Sequence, residues 1–297
     1  MATATINGVA LNYEVSGNGP TLVWLHGLMG SIDRSRTFAE NMEELFERGV
    51  RLVAYDARGH GESGYTSDEA DYTWGAQAED MRALMDELGI ERARVGGGSM
   101  GAGVSVTFAL AYPERVERLV LVAPPPLADT IGAAQQIFGA LATLIESLGV
   151  ERAVEIVMQL PDYVALKERD PKQYELTRDW FLGLHPKATP LVIRGLLFGP
   201  ALAADRFAEI RAPTLIVAHP DDPIHPTSTA NRLHEGIAGS RLVVAPEQNY
   251  YREHHEELID VVAGFLALTP GPSPASGRGE TATLTPSPSP GGRGENE

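Results

Sequence analysis

Short apolar runs alternate with longer amphipathic stretches along most of the chain. The apolar runs are rich in aliphatic and β-branched residues and end at glycine, proline or charged residues, which is typical of strands buried on both faces of a sheet. The stretches between them carry apolar residues at helical spacing, as in Ala76–Leu88 and Gly103–Ala111. This alternation predicts an α/β fold with a mostly parallel, doubly wound sheet flanked by helices. The predicted strands are Thr21–Leu25, Val50–Tyr55, Ala93–Gly96, Leu119–Ala123, Thr214–Ala218 and Arg241–Ala245.

Two regions depart from the alternation. Ala2–Val15 contains an Asn7-Gly8 turn, which predicts an antiparallel hairpin at the sheet edge. The stretch between the fourth and fifth predicted strands has helix patterns only. We therefore expect residues 125–204 to form a helical cap between two core segments, 1–124 and 205–268. The helix patterns of the cap are Ala133–Leu148, Glu151–Leu160, Pro171–Leu182 and Pro190–Leu197.

The C-terminal stretch has a different composition. Leu268-Thr269-Pro270 begins a proline-rich segment that recurs from Leu284-Thr285-Pro286, and each copy runs into Gly-Arg-Gly-Glu. This density of proline and glycine leaves little apolar surface to bury, so we expect residues 269–297 to be a disordered tail. A proline-rich ligand for another domain is the alternative.

Composition and charge narrow the classes of function. The 297 residues include 40 acidic and 24 basic side chains, a formal charge of −16, so we expect no nucleic-acid partner. The absence of cysteine excludes thiolate nucleophiles, and no His, Asp and Glu group has metal-ligand spacing, so we expect no metal or other cofactor. No membrane-length apolar run and no secretory signal are visible, which predicts a soluble, cytoplasmic protein without a membrane partner. The sequence does not indicate an oligomeric state.

A glycine-rich turn carries the strongest candidate chemistry. Gly97-Gly98-Ser99-Met100-Gly101 follows a predicted strand and opens a predicted helix. A serine at such a strained turn needs neighbours with almost no side chain, and its hydroxyl then stands clear of the sheet beside amides of the helix N-terminus. Ser99 is therefore a candidate nucleophile. A phosphate-binding loop or a purely structural turn is the alternative.

With this turn and further segments in matching order, the chain from Ala2 to about Ala267 resembles the α/β-hydrolase family. The resemblance implies an oxyanion hole formed by the N–H groups of Leu28 and Met100. It also implies that Asp222 is the acid of a catalytic triad, because the family's Asp-x-x-x-Pro spacing selects it over Asp221. The further matching segments are His26-Gly27-Leu28-Met29-Gly30, Asp56-Ala57-Arg58-Gly59-His60-Gly61-Glu62-Ser63, Tyr112-Pro113-Glu114-Arg115-Val116 and Asp222-Pro223-Ile224-His225-Pro226.

The general base is the part of the family pattern that this chain does not match. The family carries its histidine directly after the last strand, where this chain reads Pro246-Glu247-Gln248-Asn249-Tyr250. We expect His254 to be the base, because it lies on the helix stripe that faces the sheet, with His255 as the alternative base. His225 and His219, close to the predicted acid, are further alternatives.

The candidate residues predict a serine hydrolase that cleaves small carboxylic esters or related acyl bonds through an acyl-enzyme. Lactone opening, perhydrolysis and carbon–carbon cleavage are related reactions for the same residues. The partner would be a small-molecule acyl substrate in an apolar pocket. A non-catalytic binding protein on the same fold is the alternative, because Tyr250 stands at the usual histidine position. The residues expected to line the pocket are Trp24, Met29, Met100, Phe138, Trp180 and Phe198.

Overall fold

The strands of this protein form one mixed sheet. The computed structural model describes residues 1–36, 41–248, 250–267 and 280–283. Within these ranges the strands are β1 (Ala2–Ile6), β2 (Val9–Ser16), β3 (Thr21–Leu25), β4 (Arg51–Tyr55), β5 (Ala93–Gly98), β6 (Val116–Val122), β7 (Thr214–Ala218), β8 (Arg241–Val244) and β9 (Glu280–Thr283). Their spatial order is β1-β2-β4-β3-β5-β6-β7-β8-β9. β2 pairs antiparallel with β1 and with β4, and every other neighbouring pair is parallel.

Helices cover both faces of this sheet, which confirms the predicted α/β class. On one face, α2 and α3 pack Leu84 and Phe108 into a core with Val23 of β3. On the other face, α11 packs Val262 against Leu22 of the same strand. Among the described residues, no helix has the length and apolar composition that crossing a membrane would need. The helices are α1 (Ile32–Ser35), α2 (Trp74–Glu87), α3 (Met100–Ala111), α4 (Gly132–Leu148), α5 (Val150–Val157), α6 (Pro161–Arg169), α7 (Pro171–Leu182), α8 (Ala188–Leu197), α9 (Thr227–Gly236), α10 (Tyr250–Glu253) and α11 (His255–Ala267).

The segment 125–204, called the cap segment below, separates β6 from β7. Every one of its residues is described, and it holds helices α4 to α8 without a strand. Helices α4, α5 and α7 bury a core of their own, which also includes Met29 from the turn after β3. This shared core joins the cap segment to the main sheet at that turn. One cap helix, α6, was not predicted, and it buries none of its residues.

The C-terminal tail differs from its prediction at one place. Residues 280–283 form β9, which runs parallel to β8 with Glu280 opposite Arg241 and Thr283 opposite Val244. The prediction for the tail did not include this short strand. Its four residues lie between the two proline-rich copies, and the edge of β8 offers backbone groups with which they can pair. Residues 268–279 and 284–297 lie outside the described residues, so the expectation of disorder for 269–279 and 284–297 stays a prediction.

Candidate active site

Ser99 lies at a strained corner between β5 and α3. Its backbone has φ of 49° and ψ of −111°, which a residue with a side chain rarely adopts. The Ser99 N–H donates to the Val122 carbonyl at 2.9 Å, which fixes the corner against β6. The glycine at position 101 is required by close approach, because a Cβ there would lie 2.0 Å from the carbonyl oxygen of Leu25. The glycine-rich sequence therefore allows α3 to begin against β3 with the Ser99 hydroxyl at the corner.

His225 bridges Ser99 and Asp222. Its Nε2 lies 2.8 Å from Oγ of Ser99, and its Nδ1 lies 2.9 Å from Oδ2 of Asp222. A carboxylate can only accept, so Nδ1 carries the proton and Nε2 is left to accept from the serine hydroxyl. The three side chains thus form one directed chain of hydrogen bonds, from serine through imidazole to carboxylate.

The loop after β7 holds Asp222 by its two oxygens separately. Oδ1 accepts the backbone N–H groups of Ile224 at 2.8 Å and of His225 at 3.0 Å, which leaves Oδ2 for the imidazole. Partial burial would raise the pKa of Asp222, but the hydrogen bonds and charge of His225 and the two backbone donors outweigh it and lower the pKa to about 2. The carboxylate is therefore ionised at neutral pH. Asp221, with φ of 56°, turns the chain just before it.

The predictions of His254 as the base and of His255 as its alternative do not agree with this geometry. His254 stacks on Tyr250 with ring centroids 4.2 Å apart, and its Nδ1 lies 3.9 Å from a carboxylate oxygen of Glu257. His255 faces Glu44 at 4.0 Å. Both imidazoles thus make their contacts on the α11 side of the sheet, away from Ser99.

The imidazole at the site belongs to His225, which the sequence analysis had left as one of its alternatives. Sequence reasoning had followed the family's position after the last strand. The signal for His225 was its spacing, three residues after Asp222 in a proline-bounded loop.

Tyr250, which stands at the usual histidine position, takes no part in the hydrogen-bond chain at Ser99. Its hydroxyl donates to the carboxylate of Glu257, whose oxygens lie at 3.0 and 2.9 Å.

His219, the remaining alternative, packs against Tyr251 with ring centroids 5.6 Å apart. The pKa of His219 is lowered by burial, and the opposing effect of the nearby Asp222 is smaller. Asn249 lies outside the described residues.

Leu28 and Met100 line the same pocket as Ser99. Neither of their backbone amides donates a hydrogen bond to another residue in the described part of the chain. The turn that contains Leu28 and the start of α3 are joined, because the Gly101 N–H donates to the His26 carbonyl at 3.1 Å. The two amides are therefore available to an oxygen atom of a bound molecule.

The pocket next to Ser99 is open to solvent and is lined mostly by apolar side chains. Met100 and Phe138 line it as predicted, but Trp24 packs on the opposite face of the sheet, and Phe198 is 54% exposed. Met29 and Trp180 are not among its lining residues, since Met29 belongs to the core of the cap segment and Trp180 packs against that core. No group of His, Asp and Glu among the described residues could hold a metal ion. The lining residues are Leu28, Trp74, Ser99, Met100, Pro125, Pro126, Ala134, Phe138, Leu196, Leu197, Ile224 and His225.

Comparisons with known proteins agree with this fold. The family model for the alpha/beta hydrolase fold matches residues 20–147. A 2-hydroxy-6-oxononadienedioate/2-hydroxy-6-oxononatrienedioate hydrolase of Pseudomonas putida is 31% identical, over 86% of this chain and 91% of its own length. A 2-hydroxy-6-oxo-6-phenylhexa-2,4-dienoate hydrolase of Comamonas testosteroni is 26% identical, over 82% and 85%.

Solved structures give the same result. A hydrolase from Pseudomonas aeruginosa PA01 superposes with a TM-score of 0.76 at 25% identity, over 90% of this chain and 98% of that one. The enol-lactonase of Burkholderia xenovorans LB400 shares the fold, with a TM-score of 0.75 at 23% identity over 90% and 100%. These matches define the protein as a hydrolase by class. The chain belongs to the α/β-hydrolase family.

Proposed function

We propose that this protein is a serine hydrolase that cleaves carboxylic esters or related acyl bonds. In this proposal Ser99 is the nucleophile, His225 the general base and Asp222 the carboxylate that orients it. The observation that carries the proposal is the continuous hydrogen-bond chain, 2.8 Å from Ser99 to His225 and 2.9 Å from His225 to Asp222. The same contact argues against a non-catalytic binding protein, which would have no need of an imidazole at the serine.

In the proposed mechanism His225 acts first as a base and then as an acid in each half-reaction. Ser99 Oγ attacks the carbonyl carbon while His225 Nε2 takes its proton, and Asp222 stabilises the resulting imidazolium. The N–H groups of Leu28 and Met100 receive the developing oxyanion. His225 then returns the proton to the leaving alkoxide as the acyl-enzyme forms. Water repeats the sequence, so that the carboxylic acid leaves and Ser99 regains its proton.

The lining of the pocket favours a neutral substrate with an apolar acyl group. Apart from Ser99 and His225, every described residue that lines the pocket is apolar. Burying a carboxylate among such side chains without a cationic partner costs several kcal/mol. The relative from Pseudomonas putida is named for a dioate, which is a dicarboxylate. The described lining of this pocket offers no lysine or arginine to a second carboxylate.

Matched esters test both the reaction and the substrate class. We expect 4-nitrophenyl butyrate to be hydrolysed with a kcat/KM at least about tenfold above that of 4-nitrophenyl hemisuccinate, which places a carboxylate on an acyl chain of the same length. The S99A variant should lose this activity. Hydrolysis that survives S99A would contradict the proposed nucleophile, and a preference for the hemisuccinate would contradict the substrate class.

Carbon–carbon hydrolysis is the second candidate, because the relatives that match most of the chain are named for 6-oxo-dienoate substrates. The same assay series distinguishes it. A kcat/KM for 2-hydroxy-6-oxo-6-phenylhexa-2,4-dienoate above that for every neutral ester would favour this candidate. Ester hydrolysis without cleavage of the dienoate would favour the esterase.

A further inference from the structure

The carbonyl oxygen of Met29 accepts two hydrogen bonds from side chains outside its own turn. Trp180, on α7 of the cap segment, donates its indole N–H at 2.9 Å, and Arg34 donates Nη1 at 2.7 Å. Met29 is buried and has φ of 62°, in the left-handed region that a residue with a side chain rarely adopts. Such a conformation persists only where surrounding contacts hold it.

Arg34 ties the same turn to the end of helix α7. Its Nη2 lies against Gly183, the residue that ends α7, where an added Cβ would fall 2.3 Å from that nitrogen. A cation at this place is favoured by the negative end of the helix dipole. The guanidinium of Arg34 contacts the carbonyl of Met29 through Nη1 and the end of α7 through Nη2.

Met29 directly follows Leu28, which lines the pocket beside Ser99 and whose N–H is the proposed oxyanion donor. On the other side of Leu28 the turn is tied to α3, because the Gly101 N–H donates to the His26 carbonyl at 3.1 Å. The Met29 end has its ties to α7 and Arg34 instead. The turn is also closed by its own hydrogen bond, from the Gly30 N–H to the Gly27 carbonyl at 2.9 Å. Losing the ties from outside would leave only that bond against the strain at Met29, so the Leu28 N–H would be held less firmly.

We propose that Trp180 and Arg34 are positioning residues that hold the Leu28 amide in place for the oxyanion. The seating of the cap segment would thereby be coupled to catalysis. The inference rests on the proposed serine-hydrolase function and adds to it a role for a cap helix that contributes neither nucleophile nor base. A donor for the oxyanion matters in the transition state more than in the substrate complex, so its misplacement lowers kcat rather than raising KM.

The first variant is W180F, which removes the indole N–H and keeps an aromatic ring. With 4-nitrophenyl butyrate we expect kcat to fall about tenfold while KM stays within about twofold. Losing a whole oxyanion donor lowers the rate by about a hundredfold or more, and a displaced donor should lose part of that effect. The inhibition constant of butylboronic acid, whose serine adduct places an oxygen in the same hole, should rise by about the same factor as kcat/KM falls.

The matched control is W24F. The Trp24 ring is buried, and its indole N–H has no hydrogen-bond partner among the described residues, so this substitution shrinks a ring without removing a hydrogen bond. Equal kcat values and equal boronate affinities in W180F and W24F would overturn the inference. Should W180F fail to fold, the R34M variant decides. Arg34 lies outside the cap segment, and this substitution removes the second hydrogen bond to the Met29 carbonyl. An unchanged kcat in R34M would overturn the inference equally.

Wild-type activity separates the two proposals. If the wild-type protein hydrolyses the ester and the kcat values of W180F and R34M match that of W24F, the positioning role is contradicted and the serine hydrolase proposal stands. A folded wild-type protein that hydrolyses none of the esters removes the proposed function and the positioning role with it.

Discussion

At the scale of single residues, the unusual feature is the short distance in sequence between the carboxylate and the imidazole of the site. Asp222 and His225 lie three residues apart, so one loop positions both groups. The two oxygens of Asp222 have separate partners, since Oδ1 holds the loop backbone and Oδ2 holds the imidazole. The same side chain therefore folds the loop and orients the proposed base.

Replacing Asp222 tests this double role. We expect D222N to lower kcat/KM by about 10³–10⁴-fold at pH 8, because an amide no longer fixes the imidazole tautomer or stabilises the imidazolium. The control is D221N, since asparagine tolerates the left-handed backbone at that position. Steady-state ester hydrolysis by both variants measures the difference. An equal loss in D221N would show that loop conformation, and not the carboxylate, is responsible.

The sequence was sufficient for two of the three residues in the hydrogen-bond chain. Ser99 has glycine neighbours that only a close-packed turn requires, and Asp222 has a proline at a defined spacing. The histidine could not be chosen in the same way. His254 lies on the stripe that faces the sheet, but helical periodicity does not indicate which end of the sheet a side chain can reach. His225 comes to Ser99 because the loop folds back on Asp222, which is a tertiary contact.

At the scale of elements, the turn from β5 to α3 depends on backbone-to-backbone packing. Added Cβ atoms at Gly97 and Gly101 would lie 2.5 and 2.0 Å from the carbonyl oxygen of Leu25, at the end of β3. Neither that carbonyl nor the helix start can move without breaking strand pairing. The position of Ser99 is therefore fixed by how closely α3 approaches the sheet.

A single methyl group should disturb this turn. We expect G101A to lower the free energy of unfolding by about 3 kcal/mol and to reduce activity as well, because α3 must shift away from Leu25. The control is G75A, another glycine within a helix, where a Cβ would meet nothing within 4 Å. That substitution should leave stability unchanged or raise it by up to about 1 kcal/mol. Urea unfolding measures both, and equal stability of the two variants would contradict the packing argument.

Elements with a buried stripe could be predicted, and elements without one could not. The strands of the central sheet carry apolar runs, and α2 and α3 carry helical stripes with clear ends. Helix α6 buries no residue, so its sequence has no apolar stripe to reveal it. Strand β9 has only four residues and depends on the free edge of β8, which is a property of the folded sheet.

At the scale of the whole molecule, two buried histidines link stability to pH. His26 donates from Nδ1 to the Gly27 carbonyl at 2.7 Å and accepts the Ala57 N–H on Nε2 at 3.1 Å, so the neutral ring satisfies both partners. Burial lowers the pKa of His26 to about 4, although the Gly27 contact opposes it. Burial, with the nearby His26, lowers the pKa of His60 to about 3.

The folded protein should therefore lose stability on mild acidification. The unfolded chain takes up protons on these histidines below about pH 6.5, whereas the folded chain does so only near pH 4 and 3. The two histidines therefore do not reduce the free energy of unfolding above about pH 6.5. At pH 5 each of them reduces it by about 2 kcal/mol. Urea unfolding at pH 7 and pH 5 measures this loss. H254Q, at an exposed histidine, should show the same loss, and equal stability at the two pH values would contradict the buried neutral state.

The central claim is that His225, and not His254, activates Ser99, and the rate of covalent labelling by a fluorophosphonate tests it most directly. Intact-mass measurement over time should show one adduct on the wild-type protein and none on S99A. We predict that H254Q is labelled at close to the wild-type rate and that H225Q is labelled at least about 100-fold more slowly. Labelling of H225Q at the wild-type rate, with H254Q unreactive, would contradict the account.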